Sequence, residues 1–401
     1  MGHAIPWKSE DEELANELVE QTRRNNGLAP LDLEKFWAGQ EVAKRDPFGQ
    51  DIPQVPLGIM MSSECIPTEL GVEVDEWRFK QDEEYALSLK KAYNDKAETI
   101  VGRRLLNETR SRKEKRFPAP KWLAEVFEGR YVWNAGSWWL EPAAENEEEL
   151  KNLLDRVEQR LADLRDVILP EGWDDKRDEL LAEGAMPPLY RGQRGPVTFA
   201  TSIYGVENLL FLFYDNPDLA DRFRDSILSC MLEIGRILDE EAGYTPDTAP
   251  RGFNFRDDNC ALLTPEMYER FGYPILKGIF DQYAPDPDDR RFQHSDSAMS
   301  HLLPLLGKLD LTGTNFGPTV MVNEIREHLP NAVINGELAP FTFSRNEEAN
   351  IVMEFLRDFH MIKESRGLRF ATAGSINDGS LLTGMRLIMA AIQRYGRYGE
   401  S

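Results

Sequence analysis

The chain has 401 residues, of which 41% are hydrophobic and 29% charged, so it is neither a fibre nor a disordered tail and can bury a sizeable core. Its 70 acidic and 47 basic side chains give a formal net charge of −23, which argues against general nucleic-acid binding and against docking on anionic lipid. The three cysteines, Cys65, Cys230 and Cys260, are too scattered for a disulfide framework, and none stands at zinc-finger spacing. The first residues have neither the basic nor the apolar stretch of a signal peptide, and no run approaches the ~18 apolar residues of a membrane span. A cytoplasmic enzyme is the expectation.

Residues 1–50 read as a polar helical extension, with Ser9 and the acids Glu10, Asp11 and Glu12 forming a helix start. Residues 51–401 read as one large domain. Gly58–Met61 is expected to be a first buried strand. The basic cluster Arg103, Arg104, Arg110, Arg112, Lys113, Lys115 and Arg116 reads as a solvated helix face or a docking surface for an acidic partner. Tyr131–Ala135 is expected to be a second strand, and Glu145–Leu169 an amphipathic helix with acids in its first turn. Beyond it, short apolar runs at Val197–Ala200, Gly252–Phe255, Arg291–Gln293, Leu311–Phe316, Ala332–Asn335 and Arg369–Ala373 alternate with helical patterns. Eight alternating units predict an α/β fold, a (β/α)8 TIM-type barrel.

In such barrels the chemistry sits at the C-terminal ends of the strands. Several expected strands here end in polar residues: Thr201 to Tyr204, Asp257 and Asp258, His294 and Asp296, Asn315, Glu337, and Gly374, Ser375 and Asn377. His294 and Asp296, at i and i+2 on an extended segment, point the same way, so imidazole and carboxylate converge on one metal or one proton, with Glu337 as a third ligand. A hydrogen-bonded polar pair is the plainer reading of the same residues. Asp257 and Asp258 fit acid/base work or turn chemistry. Tyr204 fits a hydrogen-bond donor or a core residue. Gly374, Ser375 and Asn377 fit a backbone amide nest for a phosphate or carboxylate.

From Pro188 to Tyr398 the chain resembles the uroporphyrinogen decarboxylase superfamily, which includes corrinoid-dependent methyltransferases. The resemblance rests on Gly195-Pro196, on Asp257-Asp258 followed by Leu263-Thr-Pro-Glu-Met267, and on Tyr273-Pro274. It continues in His294-Ser-Asp296, in Ile334-Asn-Gly-Glu-Leu338 with Pro340, and in Ala373-Gly-Ser-Ile376. It implies a barrel enzyme, and the first expectation is methyl transfer between a small molecule and cobalamin, supplied by a partner corrinoid protein. Decarboxylation of a tetrapyrrole or another carboxylate is the alternative, and a non-catalytic corrinoid- or tetrapyrrole-binding protein a third.

The chain departs from both branches. The arginine-bearing motif of the decarboxylases is absent near Gly58–Cys65. Where the methyltransferases hold zinc through two cysteines and a histidine, this chain keeps His294 but has Asp296 and Ala373. The expected site is therefore oxygen-rich: His294, Asp296 and Glu337 for a metal such as Zn, Asp257, Asp258, Tyr204 and His294 for catalysis, and Asn315, Gly374, Ser375 and Asn377 for a cofactor. The question of a homodimer is left open by the sequence.

Overall fold

The computed structural model describes residues 8–110, 117–134 and 137–399. They fall into two compact units. One comprises Ser111–Ser295 with His301–Thr312. The other comprises Met1–Arg110, Asp296–Ser300 and Gly313–Ser401.

The first unit opens with an antiparallel hairpin, β1 (Arg130–Asn134) and β2 (Ser137–Glu141), in register Tyr131↔Leu140 and Trp133↔Trp138. The second strand expected of a barrel is thus half of a separate ribbon. Alternation explains it: Tyr131 and Trp133 share one face with Leu140 and Trp138, a pattern suited to cross-strand aromatic pairing. Ala135, at the end of that expected strand, lies outside the described residues. Three parallel strands follow, β3 (Gly192–Arg194), β4 (Phe253–Arg256) and β5 (Arg291–Ser295), paired in that order.

The expected strand Val197–Ala200 is a helix, Pro196–Tyr204. Pro196 pre-sets the first helical turn, and the buried Asp257 carboxyl accepts the N–H of Thr198 at 2.7 Å and of Val197 at 3.4 Å. Those local signals outweigh the β-branched composition of the run. The approach is so close that a Cβ on Gly195 would collide with the Asp257 side chain. The long helix expected at Glu145–Leu169 is two, Glu147–Leu161 and Leu164–Ile168, the first capped by Asn146 accepting from the Glu149 amide at 3.0 Å.

Phe223, on the helix Pro217–Glu241, is the hub of this unit's core. Its ring meets Phe127, Tyr204 and Phe271 at centroid distances of 6.0, 6.5 and 5.9 Å. Phe253 and Phe255 of β4 turn toward the helix Gly272–Tyr283, against Tyr283 and Phe280. By alternation Asn254 and Arg256 face the other way.

The second unit holds β6 (Gly313–Phe316), β7 (Val333–Leu338) and β8 (Leu368–Thr372), again parallel and in sequence order. Leu57 forms a parallel bridge with Phe370 of β8, flanked by Gly58 N–H to Phe370 C=O at 2.7 Å and Phe370 N–H to Pro56 C=O at 2.9 Å. The expected first strand therefore exists as a short pairing centred just before Gly58. The N-terminal helices Ser9–Arg24 and Leu33–Ala43 belong to this unit, and the first packs on Glu348–Ile362.

In the basic cluster, Arg103 pairs with Glu41 at 2.7 Å and stacks on Trp37. Arg104 pairs with Asp95 at 2.8 Å and Glu108 at 2.7 Å, and Arg110 with Glu84 at 3.4 Å. These three cations are engaged by acids of their own chain, which corrects the docking-surface reading for them. Arg112, Lys113, Lys115 and Arg116 lie outside the described residues. Among the described residues no single helix is long and apolar enough to cross a membrane, and all three cysteines are free and buried.

Two outcomes follow from this packing. Phe223→Ala removes the ring on which three others rest, and a loss of about 3–5 kcal/mol is expected in urea unfolding. Burial pushes the Asp257 carboxyl up to about 6, against the opposing pull of the Thr198 and Val197 amides. The folded state therefore holds this proton more tightly than the unfolded chain, where an ordinary Asp titrates near ~3.9. The resulting stabilisation is complete below about pH 4 and is lost as pH rises through about 6. Asp257→Asn carries no such titration. Its stability relative to the parent should rise by on the order of 1–3 kcal/mol between pH 4 and pH 7 in urea melts. A pH-independent difference would refute this account of Asp257.

Candidate functional site

The C-terminal ends of β3, β4 and β5 carry the most concentrated chemistry of the first unit. Parallel register places Arg194 beside Arg256 and Arg256 beside His294. Residues paired across parallel strands point to the same face, so these side chains form one row with a step of about 4.8 Å per strand. Burial fits that reading. On β5, Gln293 and Ser295 are buried, whereas Phe292 and His294 are partly open.

Asp258 follows β4 and turns toward the row. Its Oδ1 lies 3.8 Å from His294 Nε2, with the imidazole 17% and the carboxylate 40% exposed. That distance is too long for a good hydrogen bond but short enough for a shared ion. The local backbone fixes it: Asp257 N–H donates to His294 C=O at 2.9 Å, tying the exit of β4 to the end of β5. The adjacent turn is anchored by Asn259, whose amide N–H donates to Thr198 Oγ1 at 2.9 Å and whose side chain donates to Thr201 Oγ1 at 2.7 Å.

The two neighbouring aspartates thus have different environments. Asp257 is fully buried and occupied by helix amides, while Asp258 is open and beside His294. Of the two, Asp258 has the access that catalysis requires. Tyr204, expected at the end of a strand, ends a helix and is buried against Phe223. Its placement corrects the catalytic expectation in favour of the core reading. Cys260 is buried with its Sγ 3.8 Å from Ser295 Oγ, and burial pushes its thiol well up, so it supplies no thiolate.

The second unit holds the remaining candidates. Asp296 is exposed and closely approached by Gly374, whose φ is +102° and on which a Cβ would come within 2.9 Å of the Asp296 Cβ. These two predicted residues are therefore brought together, and the glycine is needed both for backbone and for room. Asn315 donates to the carbonyls of Asn335 and Thr372, the latter at 2.9 Å, so its amide stitches β7 to β8. That corrects its expected use as a cofactor donor. Ser375 is exposed in the loop after β8, and the Asn377 carbonyl accepts the Ser380 N–H at 3.3 Å.

Glu337 lies inside β7 rather than at its end and is fully buried. The Phe316 amide faces its carboxyl, outside good hydrogen-bond geometry, and Asp358 and Arg357 of the helix Glu348–Ile362 lie near. Burial first, and the Asp358 charge second, push Glu337 well above the ordinary carboxylate range. Buried inside β7, it is not presented at a strand end as the predicted ligand set requires. Asp358 itself is engaged by the Glu337 N–H at 3.2 Å and the Arg357 Nε at 2.7 Å.

Sequence reasoning missed Arg194 and Arg256. Both are the last residue of a strand, and the signal was available: each closes a short run followed by Gly or Asp. Placing the start of β3 five residues too late hid the row.

The sequence profile of the uroporphyrinogen decarboxylase (URO-D) family matches residues 180–394. A search of the curated proteins found no match. Among solved structures, a methyltransferase from Methanosarcina mazei aligns with a TM-score of 0.52 at 13% identity, covering 91% of this chain and 99% of that one. That likeness is one of fold, an α/β barrel class with added N-terminal helices. The family match spans more than half of the chain, over the segment that carries β3 to β8, and the chain belongs to the uroporphyrinogen decarboxylase family.

Proposed function

We propose that the protein is a methyltransferase of this family, moving a methyl group between a small molecule and a corrinoid, with His294 and Asp258 at its reactive centre. The observation that carries the reading is the 3.8 Å approach of His294 Nε2 to Asp258 Oδ1 at the ends of adjacent strands.

Imidazole and carboxylate oxygens suit a divalent ion of the zinc type, and the donors present are of that kind. The buried Cys260 thiol does not serve. When bound, such an ion polarises the oxygen or nitrogen that carries or accepts the methyl group. The chain's own part is to hold the acceptor atom at His294 and Asp258 and to take or return a proton there. Asp258, open to solvent, is the group positioned for that transfer. The methyl carrier expected of this reading is a cobalamin presented by a separate corrinoid protein in the cytoplasm.

Metal analysis and a methyl-transfer assay test this together. Protein purified without chelator is expected to carry about one zinc or iron per chain, and His294→Ala to lose it. With methylcobalamin as the probe, His294→Ala should lower transfer by at least about a hundredfold and Asp258→Asn by at least about tenfold. Unchanged transfer in His294→Ala would overturn the assignment. Turnover of uroporphyrinogen by the metal-free protein would replace it with decarboxylation.

A further inference from the structure

Arg194 and Arg256 stand side by side at the ends of β3 and β4, and neither has an ion-pair partner among the described residues. Their surroundings make this notable. Nearby arginines of the same unit are engaged: Arg191 grips both oxygens of Asp239 at 2.7 Å, and Arg222 and Arg224 hold acids at 2.5–2.8 Å. The two acids that follow Arg256 turn elsewhere: Asp257 accepts the Val197 and Thr198 amides, and Asp258 lies 3.8 Å from His294. Arg194 donates to one neutral partner among the described residues, Ser202 Oγ at 3.2 Å, which orients the guanidinium without neutralising it.

The helix that begins at Pro196 offers no competing anion site. Its first free amides, those of Val197 and Thr198, already belong to Asp257. An anion here is therefore held by side-chain cations. Two guanidiniums about one strand spacing apart can share the two oxygens of one carboxylate. On the far side of Arg194 lies the hairpin. The Arg194 charge is felt at the Tyr131 phenol, and Tyr131 shares its hairpin face with Trp133, Trp138 and Leu140. On the near side, the next residue of the row is His294.

We infer that Arg194 and Arg256 form a carboxylate subsite, and that the substrate is a small organic monocarboxylate with an apolar or aromatic body. The subsite rests on the methyl-transfer reading only in naming what the carboxylate belongs to. The row itself stands on strand register and unpaired charge. It fixes the ligand by its charged end within one strand of His294.

The test is binding without turnover. Benzoate, phenylacetate and 3-phenylpropionate are titrated calorimetrically at low ionic strength, each against its primary amide. At least one acid should bind about tenfold or more tighter than its amide. The double variant R194Q/R256Q should bring acid and amide within about twofold, and Arg256→Glu should reverse the preference. Arg251→Gln, exposed at the other end of β4, should leave it unchanged. Thermal melts check that each variant folds, and because Arg256 is exposed its replacements are expected to do so. Equal binding of acids and amides, no binding of any of the three acids, or an acid preference that survives in the double variant overturns the subsite. His294→Ala separates the two readings. Loss of methyl transfer with the acid preference intact is expected. An acid preference absent from the parent protein sinks the subsite whatever the methyl-transfer assay shows.

Discussion

The buried carboxyl of Asp257 is the constraint on which the candidate site depends. It follows β4, and its own N–H ties that strand to the His294 carbonyl of β5. Its side chain accepts the first amides of the helix that leaves β3. One residue thus sets the relative position of three strand ends. The arrangement has a cost, since burial favours the neutral acid over the carboxylate the helix amides prefer. It also has a steric condition, met by the missing Cβ of Gly195. Given both, the positions of Arg194, Arg256 and His294 follow from register alone.

Charge distribution explains why those three side chains stand out. The chain carries a net −23, so a cation finds an acidic neighbour easily. Arg103, Arg104 and Arg110 do so at the surface, and Arg165 and Arg177 both converge on the largely buried Glu241. Surface pairs of this kind contribute little stability each, about 0–1 kcal/mol. Their main effect is to remove cations from the pool available to ligands. Arg194 and Arg256, at the strand ends, have no ion-pair partner among the described residues and are exceptions to that pattern.

The alternation of strand and helix after Gly192 was legible in the sequence, because β4 to β8 are short apolar runs bounded by turns. Their starts and ends shifted by at most three residues, and those shifts changed where the candidate side chains lie. Extending β7 to Leu338 moved Glu337 from a strand end into the core, where its neighbours are Asp358 and Arg357 rather than a ligand. The run Val197–Ala200 failed as a strand because tertiary capping by Asp257, sixty residues away, is invisible to local composition. Tyr204 moved with it into the core. The pairing of Tyr131 with Leu140 was missed for the converse reason: a hairpin ladder needs the second strand to be recognised first. His294 and Asp258 were each legible as polar residues at strand ends. Their approach was not, since it depends on the register of β4 against β5.

Under the proposed reading, the row and the His294–Asp258 pair would divide two tasks that a transfer enzyme must separate. A group that recognises the substrate should bind ground state and transition state alike, and can be a fixed charge. A group that acts on the reacting atom must change its interaction as the bond changes. Arginine suits the first because its planar fork recognises a carboxylate, and an imidazole suits the second because its ring nitrogens can donate or accept. Placing them on neighbouring strands lets a rigid sheet, rather than a mobile loop, set the distance between them.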